Sequence, residues 1–183
     1  MQTVKLPLIF DPERLKSDLA RVAPEHWVEH FNRPDYEGDW RVASLRSLGG
    51  NQRKIYSDPS AGPNDFAPTP LLAECPYFTE VLSAFRCPQT AVRLMSLGAG
   101  SRIREHADLT IDFENGSARL HVPVQTSPEV EFYLAGQRVV MNAGEAWYLD
   151  FGQPHRVYNG GREDRIHMVL DCVVNDWLRA LVG

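Results

Sequence analysis

What this chain lacks narrows its function before any motif does. It has three cysteines in 183 residues, Cys75, Cys87 and Cys172, with no CxxC spacing. That is too few, and too irregular, for a disulfide framework or a zinc knuckle. Cys75 and Cys87 could pair, but buried free thiols are the expectation in a reducing compartment. There is no basic run, and the net charge is −5. Nucleic acid and anionic membranes both call for a basic surface, so neither is expected as a partner. No apolar stretch approaches the roughly 20 residues that cross a bilayer. The opening "MQTVKLPLIFDPERLK" has too short an apolar run for a signal peptide. No fixed-period repeat or low-complexity tract interrupts the chain. The expectation is a cytoplasmic globular protein acting on a small molecule or peptide, with an oligomeric state that cannot be read.

The composition is ordinary, 43% apolar and 23% charged, and the length favours one domain with a sizeable core. In the first half, "KLPLIF" (5–10) reads as a short strand. Asp11 then caps a helix with Pro12 at its first position, where a missing N–H costs nothing. Leu15, Leu19 and Val22 supply that helix's apolar stripe, and Pro24 ends it or restarts a short one. "WRVASLRSLGG" (40–50) reads as a strand stopped by a Gly-Gly turn. Residues 57–70 are crowded with Pro, Gly, Ser and Asp and read as an internal loop. A helix is expected from Pro76 to Arg86, burying Phe78, Val81, Leu82 and Phe85.

From Ala91 the pattern changes. Short β-rich runs, from "AVRLMSL" to "RIHMVLDC", alternate with Gly- and Asn-containing turns such as Asn115-Gly116, Asn142-Ala143-Gly144 and Gly152-Gln153-Pro154. The expected fold is mainly β, a double-stranded β-helix (jelly roll, cupin-like) with a few flanking helices in the N-terminal half. Residues 1–183 are expected to form one domain, with 91–175 as the jelly-roll core and 1–90 a mixed part packed on it.

Side chains two apart on a strand share a face. Three runs each carry a polar pair at that spacing: His106/Asp108, Arg119/His121 and Arg165/His167. In the last run Val169 and Asp171 join the same face, while Ile166, Met168, Leu170 and Cys172 form an apolar one. Leu120, Val122 and Val124 do the same beside Arg119 and His121. His155 follows the Gly152-Gln153-Pro154 turn and opens a strand at a barrel mouth. Three polar pairs and His155 in one small β-region point to a polar cavity. Two histidines and a carboxylate make the facial triad of non-haem Fe(II) enzymes, and the arginine fork suits a dicarboxylate. His26 and His30, four apart in "HWVEH", lack the HExxH order and are expected to be structural.

HxD, a histidine about fifty residues later and an arginine ten beyond that resemble the Fe(II)/2-oxoglutarate dioxygenases. Within that superfamily "RLHVPV", "GEAWYLDFGQPHRVYN" and "RIHMVLD" are similar to the aspartyl/asparaginyl β-hydroxylase family, which includes small bacterial hydroxylases of free amino acids. The resemblance implies Fe(II) on His106, Asp108 and His155, with Arg165 at the distal carboxylate of 2-oxoglutarate and Arg119 and His121 beside the cosubstrate. It implies hydroxylation of an unactivated C–H of an amino acid or an Asp/Asn-type residue by O2, releasing succinate and CO2. The family's upstream serine falls where Met95 and Ser96 stand here. Asp108 places the chain with the bacterial, full-triad members rather than the animal ones. Trp40, Arg41, Arg46 and Asn51 are expected at the entrance, with Arg46 gripping a substrate carboxylate and Trp40 packing beside it. A cupin-like metal enzyme or sugar-binding module, or a metal-free binding domain, are the rival readings. Cupins use His-x-His and a glutamate, and here the second position is Asp108.

Overall fold

The computed structural model describes residues 2–56, 58, 60–108 and 110–183. In chain order the elements are β1 (Thr3–Ile9), α1 (Pro12–Leu19), β2 (Val28–Glu29), β3 (Tyr36–Glu37), β4 (Trp40–Leu48), β5 (Phe66–Pro68), α2 (Pro70–Glu74), α3 (Pro76–Ser83), β6 (Gln89–Leu97), β7 (Arg102–His106), β8 (Ser117–Gln125), β9 (Val130–Leu134), β10 (Gln137–Arg138), β11 (Glu145–Leu149), β12 (His155–Asn159), β13 (Arg165–Val173) and α4 (Asp176–Val182). The strands form two antiparallel sheets. The larger runs β1-β11-β8-β13-β6-β4-β2, with β5 also on β4, and the smaller runs β10-β9-β12-β7-β3. This is the expected jelly roll, but the first half of the chain does more than pack on it. β1, β2, β4 and β5 extend the large sheet and β3 the small one.

The large sheet is covered on both faces, which is why β13 is buried at eight consecutive positions. Its outer face, with Leu120, Val122, Val124, Ile166, Met168, Leu170 and Cys172, meets Leu15, Leu71, Phe78, Val81 and Leu178 from the helices. Its inner face contributes Met95, Leu97 and Val169 to a second core that includes Phe132, Leu134 and Val157 of the small sheet. Alternation along β8 and β13 therefore sorts residues as the sequence implies, apolar outward under the helices and polar inward between the sheets.

Local chemistry sets the element ends. Asp11 Oδ1 accepts from the Glu13 and Arg14 amides at 2.9 and 3.3 Å and starts α1. The helix stops at Leu19, short of Val22, and Pro24 opens a separate single turn. α3 likewise ends at Ser83 rather than Arg86. In the expected loop at 57–70, Phe66–Pro68 pairs with β4, while Ser57 and Pro59 lie outside the described residues. The run "QRVVM" keeps only Gln137 and Arg138 in the ladder. The turn before β11 requires glycine. Gly144 has φ +82°, and a Cβ there would lie 2.1 Å from the Phe10 carbonyl oxygen. The three cysteines are buried and free. No helix among the described residues is long and apolar enough to cross a membrane.

Candidate metal centre

A cavity of about 190 Å3 opens between the two sheets, and His106, Asp108, Arg119, His121, His155 and Arg165 all line it. His106 ends β7, and His155 begins β12 directly opposite it in the ladder. Their rings lie 4.3 Å apart, centroid to centroid. Asp108 is not on a strand. The chain leaves β7 at His106, and the Asp108 amide donates to the Phe151 carbonyl at 2.8 Å. One ligand atom from each of the three residues lies within 4.8 Å of the others.

The protonation of the pair suits a cation. His106 Nδ1 lies 2.8 Å from the Arg104 carbonyl and His155 Nδ1 3.0 Å from the Gln153 carbonyl. A carbonyl can only accept, so each Nδ1 carries a proton and each Nε2 is the atom left to face a metal. Burial lowers the His155 pKa to about 4, against the raising effect of the Gln153 carbonyl. The imidazole is thus neutral near pH 7, as a metal ligand must be.

Behind the triad lies an ion network. Arg119 is hydrogen-bonded to Asp108 and donates Nε and Nη2 to Asp171 at 2.6 and 3.2 Å. Arg93 also binds Asp171, and its Nη1 donates to the Ile55 carbonyl at 3.2 Å. Burial works against the Arg119 charge, but Asp171 and Asp108 together push its pKa up. Arg119 is therefore committed to two carboxylates and aligns Asp108 from behind. Asp171 was visible in the alternation of β13. Arg93 lies outside the three polar pairs, and its signal in the sequence is a charge in the middle of "AVRLMSL" on the face of Met95.

Arg165 differs. It is 4% exposed, and Nη2 contacts His167 Nδ1 at 2.8 Å. Its Nε has no partner among the described residues. Burial alone lowers its pKa to about 9, so near pH 7 it remains a buried cation with no anion among the described residues. Since guanidinium can only donate, His167 Nδ1 accepts, and His121 Nδ1, 3.2 Å from it, must carry a proton. His121 then presents a bare Nε2, also without a partner among the described residues. Burial, followed by nearby Arg165, holds both histidines well below their usual pKa.

Of the four residues expected at the entrance, only Trp40 lines the cavity among the described residues. Arg46 is corrected. Its Nε donates to the Gln89 carbonyl at 3.1 Å and its Nη2 to the carbonyls of Phe66 and Pro63 at 2.7 and 3.3 Å. Its Nε and Nη2 are engaged by the backbone at the end of β4, and it does not line the cavity. Arg41 pairs with Asp39 and Asp164 at 2.9 and 3.3 Å, and Asn51 Oδ1 accepts from the Arg53 amide at 2.9 Å. At the upstream serine position Met95 faces the cavity, whereas the Ser96 hydroxyl donates to Asp164 at 3.1 Å. His30, expected to be structural, lines the cavity and stacks on Trp40 with centroids 3.6 Å apart. It reaches that place through irregular chain, which no spacing announces.

Comparison with known proteins agrees with this geometry. A sequence profile described as aspartyl/asparaginyl β-hydroxylase matches residues 11–174. The chain is similar to L-proline cis-3-hydroxylase 1 of Streptomyces sp., with 26% identity over 167 residues, covering 88% of this chain and 56% of that protein. It thus spans little more than half the length of that relative. Among solved structures, a Pseudomonas putida prolyl-4-hydroxylase superposes with TM-score 0.59 at 13% identity, covering 94% of this chain and 92% of that one. A Burkholderia pseudomallei oxidoreductase of the 2OG-Fe(II) oxygenase family gives 0.58 at 16% identity, covering 94% and 86%. These two likenesses are of fold.

Proposed function

The chain belongs to the aspartyl/asparaginyl β-hydroxylase family, and we propose that it is an Fe(II)- and 2-oxoglutarate-dependent dioxygenase hydroxylating an unactivated C–H of a small amino-acid substrate. The carrying observation is the pairing, in one cavity, of a His-Asp-His cluster whose Nδ1 atoms are held by backbone carbonyls and a buried arginine with no anion among the described residues. Bound Fe(II), with 2-oxoglutarate and O2, supplies the oxidising power for hydroxylation and yields succinate and CO2 as co-products. The printed names of the sequence relative and of the solved hydroxylase support this class of chemistry. Hydroxylation at proline is said of them and guides only the choice of first substrates to try.

The work of this chain's own residues follows from their contacts. His106 and His155 would hold the metal through Nε2, each ring fixed by a backbone carbonyl so that no reorientation is needed on loading. Asp108 would complete the face, with Arg119 and Asp171 holding its carboxylate. Arg165 would receive the distal carboxylate of 2-oxoglutarate, a charge-assisted contact that relieves the buried cation. His121, neutral and on the same wall, would lie beside the cosubstrate. Phe132, Phe151, Met95 and Val157 close the cavity with apolar surface and would exclude water from the reacting carbon.

An anaerobic titration tests the proposal. The protein with Fe(II) should develop the weak visible metal-to-ligand absorption of the chelate when 2-oxoglutarate is added, and His106→Ala or His155→Ala should abolish it while retaining the folded circular dichroism spectrum. A parent protein with no such band, or variants that keep it, would refute the assignment. A screen of free amino acids and short peptides for a gain of one oxygen by mass spectrometry, coupled to succinate release, would then identify the substrate.

A further inference from the structure

His167 stands behind the metal cavity rather than in it. It is buried and is not among the residues that line that cavity. It lines instead a separate space of about 20 Å3, with Ser127, Phe132, Val139 and Met141. Yet its Nδ1 meets two residues that do line the metal cavity, Arg165 Nη2 at 2.8 Å and His121 Nδ1 at 3.2 Å. The strands set up this convergence. Arg165 and His167 are two apart on β13 and share its inner face. His167 faces Pro123 on β8, and His121, two residues before Pro123, faces Val169. Proline offers no polar side-chain atom to compete, so the two histidine rings meet diagonally, edge to face, with centroids 5.5 Å apart. On its other side the His121 ring stacks on Phe151 at 4.9 Å.

The chemistry of this contact differs from that of the other buried arginines. Arg93 and Arg119 are held by carboxylates, which orient a guanidinium and cancel its charge together. A neutral imidazole does only the first. With Nδ1 accepting, the His167 proton resides on Nε2, which is buried without a partner among the described residues. An unmade buried donor costs stability, so a residue chosen for stability alone would not be this one. A carboxylate in its place would satisfy Arg165 internally and compete with any incoming anion. An apolar side chain would leave the fork unheld. The same Nδ1 also decides which nitrogen of His121 carries the proton, because a histidine tautomer follows the hydrogen bond made by the other ring nitrogen.

From this geometry we infer that His167 is a positioning residue for cosubstrate binding, whose single acceptor nitrogen aims the Arg165 guanidinium without neutralising it and holds His121 in its Nδ1–H form. The inference rests on the dioxygenase reading, with Arg165 as the anchor of the 2-oxoglutarate carboxylate, and adds to it a residue that acts from outside the cavity. Burial, then the charge of Arg165 and then His121 keep the His167 pKa well below its usual value. The ring is therefore a neutral acceptor near pH 7, and the positive charge of Arg165 is left for the ligand.

The test compares the parent with His167→Asn, His167→Leu and His167→Asp, each as the full chain loaded with redox-inert Zn(II). Asn offers a neutral oxygen close to the place of Nδ1, Leu fills the volume without an acceptor, and Asp supplies an acceptor that carries charge. Calorimetric titration with 2-oxoglutarate should give Asn within about threefold of the parent, and Leu and Asp each weaker by about tenfold or more. Zn(II) affinity should be the same in all four proteins. Nitrogen-15 NMR of labelled histidines supplies a readout that a merely structural role would not move. His121 should carry its proton on Nδ1 in the parent and in His167→Asn, and on Nε2 in His167→Leu. Equal 2-oxoglutarate affinity in the parent and His167→Leu overturns the inference, as does equal weakening in Asn and Leu, or a His121 proton that stays on Nδ1 in Leu. Parent-like binding by His167→Asp overturns the role of the uncancelled charge. If the Asp variant does not fold, the Asn–Leu contrast decides alone. A parent that takes up no 2-oxoglutarate fails the dioxygenase reading itself, whereas a parent that binds it while the variants do not differ fails only the positioning role.

Discussion

At the scale of single residues, the buried arginines divide by whether the protein itself supplies their anion. Arg119 has two carboxylates and Arg93 one. Arg165 has a neutral imidazole and an unpartnered Nε. A desolvated cation without a counter-charge is a destabilising feature unless a ligand completes it. Stability and affinity should therefore move in opposite directions on its removal. Arg165→Met preserves volume and apolar contact, so the ligand-free protein should melt at a temperature equal to or above that of the parent. Its 2-oxoglutarate dissociation constant should rise by roughly thirtyfold or more, the equivalent of about 2 kcal/mol for removing one partner of a buried charge pair. Metal affinity should stay put, because Arg165 donates to His167 and makes no hydrogen bond to His106, Asp108 or His155. Thermal melts with and without 2-oxoglutarate measure both effects. A variant that loses stability while binding 2-oxoglutarate normally would make Arg165 a structural residue.

At the scale of elements, strand alternation was the most legible signal. In β8 and β13 it separated Arg119, His121, Arg165, His167 and Asp171 from the apolar set beneath the helices, because a sheet sandwiched between a core and a cavity writes both faces into the sequence. It was silent where position depends on irregular chain. His30 enters the cavity from a loop, and Asp108 is set by a hydrogen bond to the Phe151 carbonyl rather than by the strand it follows. The same limit explains Arg46. Alternation and a nearby Gly-Gly turn could show that it ends a strand, but not that three carbonyls, from Gln89, Pro63 and Phe66, would gather around it. Those contacts tie the end of β4 to β5 and to the start of β6. Arg46→Ala should thus lower unfolding stability by about 2 kcal/mol, the scale of losing hydrogen bonds from a partly buried charged group. Substrate and 2-oxoglutarate constants should remain within twofold of the parent at a temperature where the variant is folded. A changed substrate constant without a change in stability would return Arg46 to the binding surface.

At the scale of the whole molecule, the polar cavity makes stability depend on pH in one direction. His30, His121, His155 and His167 are all buried, and burial lowers the pKa of each, to about 4 for His30 and His155 and well below the usual value for the other two. The groups facing them are mostly cationic. Arg93 and Arg119 act on His30, and Arg165 acts on both His121 and His167, while Asp108 opposes weakly at His30. In the unfolded chain each histidine takes up a proton near pH 6.5. Below that pH the unfolded state binds more protons than the folded one, so stability falls as pH falls. Above it both states are neutral at these positions, and the contribution is complete and flat. Each histidine that stays neutral costs about 1.4 kcal/mol per pH unit below its unfolded pKa, and four acting together are comparable with a typical domain's total stability within about two units. The metal-free protein should therefore show constant urea-unfolding free energy from about pH 7 to 8 and a steep decline between about pH 6.5 and 4.5, with a slope approaching four protons. His30→Phe should decline with a slope one proton smaller. Urea titrations followed by circular dichroism at half-unit pH intervals give both slopes. A parent whose unfolding free energy is level from pH 7 to 5 would show that these rings accept protons in the folded state.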